Sequence, residues 1–568
     1  MKRVFSYFSK YKTGCVLAPL FKLIEALLEL FIPIIVAKII DEGVIGGNQS
    51  AVVSGVAVMV ALGVLGLGFS IAGQFFSAKT AVSYSADLRE SVYKKLMGLS
   101  LIQTEKLGTA KMITTMTSDV QKVQSGVNLA LRLLLRSPFV VLGAFIASFI
   151  IDASVAIIFA TVIVILAIVV ALIMKITMPK FAFSQKLLDG VSQTARENLT
   201  GVRVVRAFGV EKTESQAYEK KINALEKIQN KAGKISVLLN PLTFCIVNLG
   251  IIALLYFGGV RVDVGILTCG AVIALYDYMS QILVELIKFA NLVVSISKAL
   301  ASGKRIDDIL SIEEEKQTPK QDESGLCFVE FKNVCASYGG GEVLSNVNLT
   351  IEKGQTIGII GGTGSGKSTL VNLLCGLYTT TSGAVYIDGK DVVGLSAQER
   401  RDCVSIALQK PVLFKGTVRS NLSAGKDFAT DEEIKTALDI AQASDFVDAK
   451  GGLDAVVEQG GRNFSGGQKQ RLSLARAIIS KSKIIILDDS SSALDFVTDL
   501  NLRRAIKNQG QNQTVIIVSQ RTASVKDADK IVVLDDGEIV AEGTHETLYN
   551  TCEVYREIED SQSVGGGE

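Results

Sequence analysis

Histidine is nearly absent from this chain: His545 is the only one in 568 residues. That argues against a structural zinc site of the Cys/His type. The eight cysteines (15, 245, 269, 327, 335, 375, 403 and 552) form no close C-x-x-C pair. They read as small buried hydrophobes kept reduced in a cytosol, not as a metal or disulfide framework. Net charge is only +2, so charge gives no reason to expect a nucleic acid partner. Residues 1–12 are basic, but no small-residue cleavage motif follows a short apolar core. The segment therefore reads as a cytoplasmic lead-in rather than a signal peptide.

Apolar sequence is abundant. Hydrophobic residues make up 48% of the chain and mean hydropathy is +0.36, which points to a membrane. The length exceeds one ordinary domain. Long apolar runs are confined to 14–300; one of them, 153–174, carries no charge at all. From about residue 311 onward the pattern is that of a globular α/β protein. The chain thus divides into a region built for lipid and a region built for water.

A spanning helix needs about 20 mostly apolar residues. Six segments qualify: 15–40, 51–77, 127–150, 154–176, 236–258 and 266–294. The first carries Lys22, Glu25, Glu29 and Lys38. Either these charges snorkel beyond the hydrocarbon, or Glu25 or Glu29 faces an aqueous cavity. Asp277, Glu285 and Lys288 on the sixth segment and Arg132 and Arg136 on the third are further cavity candidates. Glu285 and Lys288 are also spaced to pair, and the two arginines also suit a helix end. Asp41 and Glu42 either latch an outward gate or lie in a solvated loop.

Basic residues set the orientation. Lys2, Arg3, Lys10 and Lys12 precede the first span, 79–126 holds seven basic residues, and 177–235 is also rich in them. The alternate connections are poor: 41–50 and 151–152 have none, and 259–265 has only Arg261. Both ends of the membrane region are therefore expected in the cytoplasm. The two long basic connections have a helical pattern and almost no proline, so each is expected to form a hairpin of helical arms reaching roughly 30 Å below the bilayer. Leu107-Gly108-Thr109 and residues 198–208 are the expected tips.

Residues 311–325 are charged, polar and contain Pro319, and read as a linker. Beyond them, the short apolar run 356–360 leads into Gly361-Gly362-Thr363-Gly364-Ser365-Gly366-Lys367-Ser368-Thr369 and then an apolar helix. This is the G-x-x-x-x-G-K-[ST] phosphate loop in its strand–loop–helix setting. Glycines let backbone N–H groups approach phosphates, and the helix N-terminus favours negative charge. Lys367 would reach the β- and γ-phosphates and Ser368 would bind Mg²⁺. A second buried-strand run, 484–487, ends in Asp488-Asp489, which suits the Mg²⁺ shell and the attacking water.

Between these lies Asn463-Phe464-Ser465-Gly466-Gly467-Gln468-Lys469-Gln470-Arg471, opening a helix. It resembles the L-S-G-G-Q signature of the ABC ATPases, with Phe464 in place of the usual leucine. The resemblance extends in order to Tyr338 as the adenine-stacking aromatic, Gln409 as the Q-loop residue, the exporter-type segment 458–462, and Ser492-Ala493-Leu494-Asp495 as the D-loop. The six spans before it resemble the membrane domain of type IV ABC exporters. The resemblance implies an all-α membrane domain with long cytoplasmic extensions (1–310), the linker, an α/β P-loop ABC domain (326–560) and a flexible tail (561–568). It implies ATP and Mg²⁺ as ligands, with Ser368, Gln409 and Asp488 around the metal. It also implies a dimer, each ATP lying between one chain's phosphate loop and its partner's signature residues Ser465, Gly466, Gly467 and Gln468.

Two residues depart from the family pattern. Asp489 stands where a glutamate general base is usual, and Gln520 stands where a switch histidine is usual. Aspartate draws its carboxylate back by roughly 1 Å, a displacement that can cost about 10²-fold in rate. Glutamine can hydrogen-bond a γ-phosphate but cannot become cationic or relay a proton. The pair resembles the degenerate-site half of bacterial heterodimeric multidrug exporters. That resemblance implies a second ABC half-transporter as partner, amphipathic small molecules as cargo, and a place in the cytoplasmic membrane. The alternatives are a homodimeric lipid or drug flippase, an exporter-fold importer, and an ATP-binding regulatory or gating subunit.

Overall fold

The computed structural model describes residues 2–313, 327–338, 341–426, 428–490, 496–507 and 513–563. Most of the expected linker, most of the tail, and the whole D-loop stretch 492–495 with Asp495 lie outside the described residues. The chain forms two compact units. One comprises Met1–Met97 and Thr109–Ile312; the other comprises Gly98–Gly108 and Glu313–Glu568.

The first unit is helical. Its long helices are α1 (Lys12–Lys38), α2 (Gln49–Met97), α3 (Thr109–Ile151), α4 (Ala153–Thr200), α5 (Glu211–Asp263) and α6 (Cys269–Ser311). Among the described residues, α2 to α6 are long and apolar enough to cross a membrane. α1, the first expected span, is a helix of 27 residues whose central Lys22, Glu25 and Glu29 lower its hydropathy. At 1.5 Å per residue the 48 residues of α4 run roughly 70 Å, over twice a hydrocarbon core of about 30 Å. The excess supplies the extensions. Between α4 and α5 the turn is made around the short helix Val202–Ala207.

Apolar residues point both ways in this unit, as lipid on the outside allows. Val64, Leu67, Ile168 and Leu249 are each more than 60% exposed. Inside, Ala26, Leu30, Val140, Ala144, Phe159, Leu254, Leu275, Tyr278 and Ile282 share one core. Cysteine departs from expectation here. Only Cys552 is buried, while Cys245 on α5 and Cys269 at the start of α6 are exposed. Thiols on membrane helices lose nothing by facing outward into lipid.

Several charged side chains inside the helices are paired. Arg136 is 8% exposed and bridges Glu29 of α1 and Glu285 of α6, both at 2.6 Å. Glu285 also accepts from Lys288 Nζ and Ser137 Oγ at 2.8 Å each. Lys22 donates to Glu25 at 2.5 Å and to Ser70 of α2 at 3.0 Å. Asp277 and Arg132 are half-buried. On the connections expected to face outward, Asp152 caps α4 and pairs with Arg261 at 2.6 Å. Asp41 Oδ1 accepts from Gly270 N at 2.8 Å and so ties the segment Ile39–Ile45 that follows α1 to the start of α6, while exposed Glu42 pairs loosely with Lys38.

The second unit is α/β. A four-stranded sheet has the order β2-β1-β4-β5, from β1 (Val329–Ser337), β2 (Glu342–Ile351), β4 (Ser382–Ile387) and β5 (Lys390–Asp391). Between β2 and β4 in sequence comes β3 (Thr356–Ile360), which belongs to a six-stranded sheet. That sheet also holds β6 (Val404–Ala407), β9 (Ile484–Asp488), β10 (Thr514–Val518), β11 (Lys530–Asp535) and β12 (Glu538–Gly543), in the order β12-β11-β3-β10-β9-β6. The two-residue strands β7 (Gly416–Thr417) and β8 (Val456–Val457) pair separately. Runs such as Ile484-Ile485-Ile486-Leu487 are apolar throughout because parallel strands are covered on both faces. The helices of this unit include α7 (Lys367–Leu374), α8 (Gly466–Ile479), α9 (His545–Thr551) and α10 (Glu553–Ser563).

Removing one partner of a buried ion pair strands the other, at a cost of about 3–5 kcal/mol, whereas replacing the pair by apolar residues is often neutral. Arg136→Ala should therefore destabilise the detergent-solubilised protein strongly, and Arg136→Met combined with Glu285→Met should recover most of the loss. Thermal unfolding followed by fluorescence-detected size exclusion reads both.

Candidate nucleotide-binding site

One register places the candidate residues side by side. Val518 of β10 lies opposite Ile359 of β3 and Asp488 of β9, and Ala407 of β6 lies opposite Leu487. Two residues further along each strand stand Gly361, Gln520 and Gln409, the last level with Asp489. The carboxyl ends of parallel strands are where α/β sheets take ligands.

The phosphate loop shows why glycine is required. Gly366 has φ +96°, and a Cβ there would come within 2.6 Å of Leu344 Cδ2. At Gly362 and Gly364 the space around the backbone is open, so a phosphate can approach. Gly362, Thr363, Gly364 and Ser368 are exposed, while Ser365, Lys367 and Thr369 are buried. Lys367 Nζ donates to the carbonyls of Gly361 (2.9 Å) and Gly362 (2.6 Å) and to Ser365 Oγ (3.2 Å). Its cation is folded onto its own loop.

Electrostatics around Lys367 call for a ligand. Burial pulls the Lys367 ammonium down from its ordinary pKa, against the pull of Asp488 and Asp489. Burial pushes the Asp488 carboxyl up, Asp489 adds to the rise, and Lys367 opposes it. A triphosphate would restore the lysine and a divalent cation the aspartate. The donor set fits both groups: an ammonium and open loop amides for phosphate, and Asp488, Ser368 and Gln409 oxygens for Mg²⁺.

Asp489 adopts φ +46°, in the left-handed region, and its amide donates to Val518 O at 2.8 Å. Gln409 Nε2 donates to Asp489 Oδ2 at 3.1 Å. Asp489, expected at the base position, is thus in direct contact with Gln409, expected as the Q-loop residue. Gln520 is exposed just beyond β10. Tyr338 packs on Tyr378, ring centroids 4.7 Å apart. Tyr378 OH in turn donates to Glu105 Oε1 at 3.3 Å, on the short helix Leu101–Leu107. That helix starts at a Ser100–Gln103 capping box and ends at Gly108, φ +77°.

The signature residues open α8. Ser465 Oγ accepts from Gln468 N at 3.4 Å, and Ser465 N donates to Gln468 Oε1 at 3.0 Å, a reciprocal capping box. Ser465 and Gly466 are exposed at a helix N-terminus, a ready anion site. The unusual Phe464 is 5% exposed, edge-on to Phe446 and under the Lys450 ammonium at 5.1 Å. Its extra bulk is absorbed in the core beneath the signature. Two further residues were not singled out by sequence. Gln470, 2% exposed, donates to Leu408 O at 3.2 Å and ties α8 to the residue before Gln409. Gln562 contacts the loop after β10. Gln470's place on the buried face of the signature helix was a usable sequence signal; Gln562 carried none.

Comparisons with known proteins bear on the family and the fold. Residues 15–286 match the family model of the ABC transporter transmembrane region, and residues 344–492 match the model of the ABC transporter family. The chain belongs to the ABC transporters. It is 34% identical over 565 residues to an uncharacterized ABC transporter ATP-binding protein of Mycobacterium tuberculosis, covering 98% of this chain and 97% of the relative. An uncharacterized relative from Bacillus subtilis is 32% identical over 99% of this chain and 98% of its own length. An ATP-dependent lipid A-core flippase of Syntrophus aciditrophicus is 30% identical over 82% of this chain and 78% of its own. A bacterial Atm1-family ABC exporter with ATP bound shares the fold, with TM-score 0.82 over 99% of both chains at 22% identity. The protein is therefore a membrane helical domain fused to an ABC ATPase domain, an ATP-driven transporter by family.

Lys367→Ala should weaken ATP binding by at least about tenfold, since a charge-assisted contact is lost. Asp488→Asn should raise the thermal stability of the nucleotide-free protein, because a buried carboxylate is neutralised, and should lose the extra stabilisation that Mg²⁺ adds to ATP. Differential scanning fluorimetry with ATP alone and with Mg·ATP measures both.

Proposed function

We propose that this chain is one half of a heterodimeric exporter that moves amphipathic small molecules out of the cytoplasm by alternating access. The observation that carries the reading is the base position. Asp489 is one methylene short of the usual glutamate and is held by Gln409, and Gln520 at the switch position cannot shuttle a proton. A site of this kind binds ATP and hydrolyses it slowly. The signature is sound by contrast: Ser465, Gly466 and Gln468 open α8 in a satisfied cap, with Phe464 packed beneath.

Such a chain is useful opposite a different partner. The partner's phosphate loop, glutamate and histidine would face Ser465–Gln468 of this chain and hydrolyse ATP. This chain's own phosphate loop, Lys367, Ser368, Asp488 and Gln409, would hold a second Mg·ATP facing the partner's signature. Tyr338 would stack on its adenine. ATP draws the two ATPase domains together, and hydrolysis on the partner's side releases them. The helical extensions of α2 to α5 would carry that motion to the membrane, with both ends of the membrane domain in the cytoplasm. Arg136, Glu29 and Glu285 meet inside the helix bundle, and the partly exposed Glu29 and Lys288 would offer polar contacts to cargo.

A homodimeric lipid flippase is the second reading, favoured by the 30% identity to lipid A-core flippases. The two readings divide on Asp489. In the purified transporter with its natural partner, Asp489→Asn should change ATP turnover by less than about twofold, because the competent base is elsewhere. Turnover falling by tenfold or more would mean that Asp489 is the working base and would end the heterodimer reading.

A further inference from the structure

The C-terminal helix pair of the ATP unit takes no part in the nucleotide motifs, yet it is fastened to the core with unusual care. Tyr555 of α10 is completely buried, in a cluster with Leu548, Cys552, Val525, Ile531 and Ile360. Its hydroxyl lies 2.8 Å from Nδ1 of His545 on α9, the chain's single histidine. Tyr549 OH of α9 donates to Asp560 Oδ1 of α10 at 3.1 Å. Two of the cluster's members are close to the site in sequence. Ile360 immediately precedes the phosphate loop, and Val525 ends the short helix that follows Gln520.

Seven residues past Tyr555 is two helical turns, which brings the side chain of Gln562 back to the same face. There it meets the loop after β10. Gln562 Nε2 donates to Gln520 O at 2.7 Å. Gln562 Oε1 accepts from Thr522 N at 3.0 Å and from Thr522 Oγ1 at 3.1 Å. The sheet itself holds this loop only as far as Ser519, whose amide donates to Ile359 O at 3.0 Å. Beyond that point one amide side chain grips the backbone on both sides of Arg521.

We propose that Gln562 is a positioning residue for the switch: by clamping the backbone at Gln520 and Thr522 it fixes the direction in which the Gln520 side chain leaves the sheet toward the γ-phosphate. The last turn of α10 then sets how well this site distinguishes a nucleoside triphosphate from a diphosphate. A diphosphate has no γ-phosphate for Gln520 to touch, so its binding does not depend on the clamp. The proposal rests on the reading of Gln520 as the switch residue.

The test uses the full-length transporter with its natural partner, photolabelled on this chain with 8-azido-ATP and competed with AMP-PNP or ADP. AMP-PNP is not hydrolysed, so the readout is independent of how fast this site turns over. Gln562→Ala removes three hydrogen bonds from an exposed side chain and should lower affinity for AMP-PNP about tenfold while leaving ADP within about twofold. Gln562→Glu keeps the acceptor toward Thr522, loses the donor toward Gln520 O, and should fall between wild type and Gln562→Ala. Gln520→Ala should show the same selective loss. If Gln520→Ala loses the preference for AMP-PNP and Gln562→Ala keeps it, the switch assignment stands and the clamp is overturned. If neither variant loses it, both are overturned. An equal loss for AMP-PNP and ADP in Gln562→Ala would show a merely structural contact and would also overturn the proposal.

Discussion

Backbone hydrogen bonding between β3, β10, β9 and β6 is the constraint on which the nucleotide site depends. Each ladder is parallel, and Val518 lies level with both Ile359 and Asp488. The phosphate loop, the acidic pair and the loops that carry Gln409 and Gln520 all lie at the carboxyl ends of those strands. A one-residue slip in any ladder would move its loop by about 3.3 Å and turn its side chains to the other face. The same alignment crowds Lys367, Asp488 and Asp489 into a partly buried space, where the ordinary charge states of Lys367 and Asp488 are disfavoured. Nucleotide and metal complete this charge set, so the site is built to be stabilised by what it binds.

The membrane unit solves a related problem with different material. Lipid permits Val64 or Leu249 to face outward but leaves a charged group few choices. Arg136 meets Glu29 and Glu285, Glu285 meets Lys288 and Ser137, and Lys22 meets Glu25 and Ser70. These bonds join α1, α2, α3 and α6. They explain how α1, whose composition is poor for a membrane helix, is held among apolar neighbours. Net stabilisation from buried pairs is modest, but a pair with one member missing is costly, so the network specifies which helices meet.

Much of the site was legible in the sequence because its chemistry is local. A phosphate loop must be glycine-rich and followed by a helix; Gly361 to Thr369 display that within nine residues. Gln409 and Asp489 were placed by motif, but their hydrogen bond depends on the register of β6 against β9, which is not local. The charges of α1 were visible, and Lys22 finds Glu25 three residues away, yet Glu29 meets Arg136 across 107 residues and Lys22 meets Ser70 across 48. Asp41 left two readings open, and only the fold joins it to Gly270 across 229 residues. Gln562 was invisible for the same reason: an exposed glutamine near a chain end has no pattern until α10 is docked. Burial was misjudged for Cys245 and Cys269 because exposure to lipid does not penalise a thiol.

The central claim is that this chain's catalytic side is incomplete and its signature serves another chain. The most direct measurement is to isolate the protein from its native membrane in mild detergent and identify what accompanies it at equal stoichiometry. The account predicts a second ABC half-transporter with glutamate at the position matching Asp489 and histidine at the position matching Gln520. Recovery of this chain only with further copies of itself would contradict it, and Asp489 and Gln520 would then have to support hydrolysis themselves.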